Sequence, residues 1–230
     1  NEDAQLLAAK ATEEQLAYES AKAEEAKRFN DVTGMSPATA RALTLIKLGP
    51  TMPAPSDAAK REELAKLAAK MDANYGSGQW CRPNKDGQDE CLKLQAIEKI
   101  IDNAEFKNSP ADIEAAWNAW HLTSRPIRKD YQRFQELMNE GASELGFKDT
   151  GELWRGGYDM SPTEFDTEVE RLWSQVKPLY ELLHCTVRDK LNEKYGDAVV
   201  PKDGLIPAHL LGNMWAQQWS NLYPLVEPFP

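Results

Sequence analysis

The sequence predicts an all-α fold, and three observations carry the prediction. Good helix formers (Ala, Glu, Lys, Leu) fill long stretches, most clearly from Asp3 to Phe29. Serine–proline pairs recur at Ser36-Pro37, Ser109-Pro110 and Ser161-Pro162. In each, serine suits the N-cap and proline suits the first helical position, where its missing N–H does no harm. Apolar residues also return every three or four positions, the spacing of a single helix face.

The elements follow in order. The Asp3–Phe29 helix carries dense, mixed charges, which marks an exposed face. Ser36-Pro37 opens a second helix that ends at Gly49-Pro50. Thr51-Met52-Pro53-Ala54-Pro55 is then an extended connector, because each proline fixes φ and discourages helix before it. A third helix runs from about Ala58 to Asn74, and the Tyr75-Gly76-Ser77-Gly78 turn leads into a polar loop between Cys81 and Cys91. Leu94 to Phe106 reads as a helix. Ser109-Pro110 starts another, with Ile113, Trp117 and Trp120 on one apolar face. Arg125-Pro126 restarts the chain into a helix ending near Gly146. Ser161-Pro162-Thr163-Glu164 combines a cap, a first-turn proline and a capping-box glutamate. The long helix it opens carries Leu172, Val176, Leu179, Leu183 and Val187 as a stripe expected to face the core, and Pro178 within it should introduce a kink. Val199 and Val200 point to a short strand at most. No internal repeat or low-complexity segment is present. Residues 1–230 read as a single helical region with one connected core.

With 230 residues, 41% of them hydrophobic and seven Trp, the chain is long and apolar enough to bury a sizeable core. Its 37 Asp plus Glu outnumber 27 Lys plus Arg, for a formal charge of −10. An acidic surface repels phosphates and argues against a nucleic-acid partner. No apolar run approaches the ~20 residues that span a bilayer. The chain begins at Asn1 without Met, so removal of a leader or of a longer segment is expected.

Cys81 and Cys91 enclose a turn-rich loop that can bring two thiols together. A disulfide there suits a secreted or periplasmic protein, and two unpaired cytosolic thiols fit the same spacing. Cys185 lies in a helical run and reads as a small buried hydrophobe.

Local chemistry is sparse. The histidines, His121, His184 and His209, have no ligand-like spacing, and there is neither an HExxH nor a CxxC motif. His184 and Cys185 are adjacent, so on a helix they point in different directions. His209 reads as a hydrogen-bonded structural histidine near a helix start. No GxSxG elbow, cysteine-protease signature, GxGxxG or Walker loop occurs. Glu13-Glu14, Glu24-Glu25 and Glu62-Glu63 read as solvated faces. Trp154-Arg155 could hold an anion or carboxylate, because guanidinium is always charged and weakly hydrated; a structural ion pair is the plainer reading. Trp215 and Trp219, spaced as one helical turn, read as core.

Ile206 to Tyr223, IPAHLLGNMWAQQWSNLY, closely resembles the IPAHLLGNMWAQ-x-WSN-x-Y segment of the angiotensin-converting enzyme family. Phe147 to Arg155 resembles that family's F-x-D-T-G-x-x-W-R. Leu179 to Arg188 resembles its PLY-x-x-LHA-x-VR helix, with Cys185 in place of the usual Ala. Val226-Glu227-Pro228-Phe229-Pro230 parallels V-V-P-F-P. Leu48–Pro55 and Tyr75–Cys81 look like bacterial members.

The resemblance implies a two-lobed, mostly helical zincin-type peptidase whose N-terminal helices form a lid over a deep cleft. Such an enzyme releases dipeptides from the C-termini of oligopeptides by attack of a zinc-bound water. Zinc would be held by HExxH and a later Glu, none of them in this sequence, so this chain is expected to supply lid and cleft wall and to be inactive alone. The missing catalytic half of the same protein is then its partner. The family also forms a disulfide at the positions of Cys81 and Cys91. By resemblance, chloride would bind at Arg155, of the W-R motif, and at Tyr195, of Lys194-Tyr195-Gly196. A secreted or periplasmic location follows from the same likeness. A second reading is a catalytically inactive helical peptide-binding or interaction module, and a third is a generic helical scaffold.

Overall fold

The computed structural model describes residues 2–84, 86–103 and 106–227. Helices dominate: α1 (Glu2–Lys27), α2 (Pro37–Leu48), α3 (Ala58–Gly76), α4 (Leu94–Asp102), α5 (Pro110–Leu122), α6 (Arg128–Glu144), α7 (Thr150–Arg155), α8 (Pro162–Tyr195) and the short α9 (Tyr223–Val226). The described residues hold one antiparallel hairpin, β1 (Gln79–Pro83) with β2 (Asp89–Lys93). The serine–proline starts form as expected. Ser36 Oγ accepts from Thr39 N–H at 3.1 Å, and Ser109 Oγ from Asp112 N–H at 3.1 Å. At α8 the box closes reciprocally: Glu164 N–H donates to Ser161 Oγ at 3.2 Å, and Ser161 N–H to Glu164 Oε2 at 2.8 Å.

Two compact units emerge, residues 1–74 with 126–171, and residues 75–125 with 172–230. α8 contributes residues 162–171 to the first and 172–195 to the second. The first unit packs Leu16, Leu64 and Ala65 with Ala54, Leu137 and Met138. Its extended connector is buried at Pro50, Pro53 and Ala54, against the expectation that loops stay wet. Proline suits that burial because it brings no N–H needing a partner. α3 and α6 are tied by Arg133, whose Nε and Nη2 donate to the two carboxylate oxygens of Glu63 at 2.8 and 2.9 Å.

The second unit centres on Ile97, Ile101, Ile113, Trp120, Leu191 and Met214. The Cys81–Cys91 segment is the hairpin rather than an irregular loop. Cys81 stands opposite Cys91 in the register, and the two are disulfide-bonded. Asn84 makes the turn, its Oδ1 accepting from Asp86 and Gln88 N–H at 2.9 Å each.

Several local expectations are corrected. α4 stops at Asp102 rather than Phe106, because Asn103 turns left-handed (φ 42°) and its Oδ1 accepts from Asn108 N–H at 2.8 Å. Val199 and Val200 lie in a turn, with Val200 buried. In the α8 stripe only Val187 is buried, while Leu172, Val176, Leu179 and Leu183 stay exposed. Periodicity shows that residues share a face, not that anything covers it. Cys185, two residues before the buried Val187, falls on another side of the helix and is exposed. Between the 3₁₀ turns at Ala208–Leu210 and Ser220–Leu222 the chain follows no helical path, with Gly212 at φ 86° and Ala216 at φ 54°. A Cβ on Gly212 would meet the Gln218 carbonyl oxygen at 1.9 Å, so this close approach admits only glycine. Trp215 and Trp219 are therefore not one helical turn apart. Trp215 is exposed, and Trp219 packs against the core with Nε1–H donating to the Ala216 carbonyl at 2.9 Å.

Candidate functional site

Arg155 ends α7, a helix placed by Asp149, whose Oδ1 accepts from Glu152 N–H at 2.7 Å. It lines a cleft of about 370 Å³ together with Tyr131, Phe134, Met138, Thr150 and Trp154. Asp166 Oδ1 lies 3.6 Å from Arg155 Nε, close enough for ion pairing and too far for a hydrogen bond. Nε is accordingly buried without a hydrogen-bond partner, as is Thr150 Oγ1. Trp154 presents its ring to solvent while Nε1–H donates to the Thr51 carbonyl at 3.0 Å. Both readings of Trp154-Arg155 thus have a physical basis: an ion pair is present, and a cation stands beside aromatics in a concave surface.

Tyr195 ends α8 in the second unit and packs against its core. Burial pushes its phenol above the usual range. Lys194 Nζ sits 4.3 Å from the Phe106 ring centroid and 5.7 Å from that of Tyr195. Arg155 and Tyr195 fall in different units, each with its own neighbours.

The histidines do unrelated work. His121 stacks on Trp117 (centroids 3.7 Å apart, 27° between planes), and its Nδ1 lies 2.7 Å from the Trp117 carbonyl oxygen. His184 joins Trp173, Tyr180 and Trp219 in an aromatic cluster with centroid separations of 5.7 to 6.3 Å. The cluster escaped sequence reasoning, although Trp173, Tyr180 and His184 at spacings of seven and four signal a shared helix side. His209 is half-buried, and its Nε2 is buried without a hydrogen-bond partner, contrary to the bonded histidine expected at that atom. Burial pulls its pKa down, opposed by the charge of Glu114. Among the described residues, no group of three or more His, Cys, Asp or Glu could hold a metal ion. These residues do not fit a zinc centre. Nor is any described helix long and apolar enough to cross a membrane.

Comparison with known proteins places these features in context. The family model for angiotensin-converting enzyme matches residues 1–230. Angiotensin-converting enzyme of Oryctolagus cuniculus is 42% identical over 180 residues, covering 77% of this chain and 13% of that protein. The enzyme of the same name from Theromyzon tessulatum is 37% identical over 170 residues, covering 74% of this chain and 27% of its own length. That of Haematobia irritans exigua is 33% identical over 169 residues, with 73% and 27% covered. The chain thus spans about an eighth to a quarter of the curated relatives it matches.

Proposed function

Because the chain belongs to the angiotensin-converting enzyme family, we propose that it is part of a zinc metallopeptidase of the peptidyl-dipeptidase type. In this reading residues 1–230 contribute lid and cleft wall to a single larger peptidase domain. Zinc is held elsewhere in that domain, oligopeptides are the substrates, and dipeptides leave from their C-termini. The observation that carries the reading is the family match along the whole chain, with about 40% identity to vertebrate relatives.

Physical features support parts of it. The Cys81–Cys91 disulfide suits an oxidising compartment, hence a secreted or periplasmic protein. Arg155 supplies a fixed cation with an unpartnered N–H, the donor type a chloride ion needs. Tyr195 supplies a phenol hydroxyl, a neutral hydrogen-bond donor. Both are proposed chloride positions, each completed by groups outside this chain.

The test has two arms. The purified 230-residue chain is expected to release no dipeptide from a C-terminally blocked tripeptide reporter and to bind no stoichiometric zinc. The source transcript, read beyond the Pro230 codon, is expected to continue into HExxH and a downstream Glu. A chelator-sensitive cleavage by the purified chain, or a stop codon directly after Pro230, overturns the assignment.

A further inference from the structure

We propose that the Nε–Nη2 edge of Arg188 is a carboxylate-binding site, closed in this structure by the thiol of Cys185. Arg188 lies in α8, half-buried within the second unit. Its Nη1 donates to the Gly204 carbonyl at 3.4 Å, long for an N–H···O bond. Its Nη2 donates to Cys185 Sγ at 3.4 Å, and thiol sulfur is a weak acceptor. Nε is buried without a hydrogen-bond partner. None of the ion pairs among the described residues involves Arg188, although Asp189 follows it and Asp203 precedes Gly204 in sequence. A half-buried cation without a counter-charge is costly until an anion completes it.

Arg133 of the same chain shows such an edge filled. Its Nε and Nη2 reach the two carboxylate oxygens of Glu63 at 2.8 and 2.9 Å. These two N–H groups run parallel on one side of the planar guanidinium, at the spacing of a carboxylate's oxygens, so together they favour a carboxylate over a monatomic ion. At Arg188 the corresponding pair reaches no protein carboxylate: Nε is unpartnered and Nη2 meets only sulfur. Cys185 is exposed and turns on one χ1 bond, so moving Sγ to another staggered position frees Nη2 with the backbone unmoved. Arg188 is neither of the two proposed chloride positions. Two sources carry the matching group: an acidic side chain elsewhere in the longer protein, and a free carboxylate ligand.

Cys185, the one cysteine outside the disulfide, reports on the site. In the purified 230-residue chain, acetate replaces chloride at constant ionic strength. Alkylation of Cys185 by neutral iodoacetamide is expected to slow saturably, by at least about two-fold, because a carboxylate on the guanidinium takes Nη2 away from the reacting sulfur. The Arg188 Nε–H proton resonance should move downfield in the same titration, since it gains an acceptor. Cys185→Ala should lower the acetate midpoint of that shift. Arg188→Lys keeps the charge and loses the paired edge, so its alkylation rate should ignore acetate. An unmoved Nε–H resonance, a wild-type rate indifferent to acetate, or an equal response in Arg188→Lys overturns the proposal. In the longer protein, a slow rate that Arg188→Lys speeds up identifies an internal carboxylate, and an acetate response like that of the 230-residue chain identifies a free ligand. A rate there that neither acetate nor Arg188→Lys changes also overturns it. No readout uses peptidase activity, and those on the 230-residue chain stand or fall apart from the proposed function.

Discussion

Replacing Gly141 by alanine sets two known effects against each other. Gly141 lies within α6, where Gly→Ala on its own strengthens a helix by up to about 1 kcal/mol. Here the new methyl would sit 2.3 Å from the Pro53 carbonyl oxygen, 2.6 Å from its carbon and 2.7 Å from the Ala54 carbonyl carbon. All three are backbone atoms of the buried connector, so no side chain can rotate away. To reach a 3.0 Å contact the connector must retreat by at least about 0.7 Å, in a segment held by the buried Pro50 and Pro53. Overpacking of this kind costs about 1–3 kcal/mol, and rigid backbone places it at the upper end. The net expectation is a loss of about 2 kcal/mol, or about 4–8 °C in melting temperature for a chain of this size. Calorimetry or thermal circular dichroism of Gly141→Ala beside Gly76→Ala reads it directly. Gly76 ends α3, and a Cβ added there would have nothing within 4 Å, so that control should stay within about 0.5 kcal/mol of wild type. A Gly141→Ala protein melting at or above wild type would refute the packing of connector against α6.

Two further outcomes follow from the second unit. Removing the disulfide as Cys81→Ser with Cys91→Ser, a sequence separation of 10, should cost about 3 kcal/mol by loop-closure entropy, read from urea unfolding. The expected loss should vanish when wild type is compared under full reduction. His209 has its pKa lowered by burial, so below about pH 6.5 the unfolded chain takes up a proton that the folded chain resists. Stability should therefore fall as pH drops through that value and level off below the folded pKa. The decline in melting temperature from about pH 7.5 to about pH 5.5 should be shallower in His209→Gln, and equal slopes would show that His209 does not titrate differently on folding.

Local chemistry was legible from the residues alone wherever a few neighbours decide the outcome. Ser36-Pro37, Ser109-Pro110 and Ser161-Pro162 start helices because cap and first turn are satisfied within four residues. The all-α class and the family were equally legible, the latter in Phe147–Arg155 and Ile206–Tyr223. Less legible was whatever depends on distant atoms. Apolar spacing put Leu172, Val176, Leu179 and Leu183 on one face, and only the folded chain shows that face uncovered while Val187 and Leu191 are buried. Trp215 and Trp219 have the spacing of a helical pair, but the left-handed Gly212 and Ala216 take the backbone off any helical path there.

The candidate site divides the same way. The sequence, through its resemblance to the family, proposed Arg155 and Tyr195 as chloride positions, and the charge or hydroxyl each offers belongs to the side chain. Tertiary structure decided their surroundings: a buried Nε beside Asp166, and a phenol packed against the core with its pKa raised by burial. The physical reason is that desolvation and pairing depend on what lies within a few ångströms in space, and in this fold those neighbours are set by packing rather than by order along the chain.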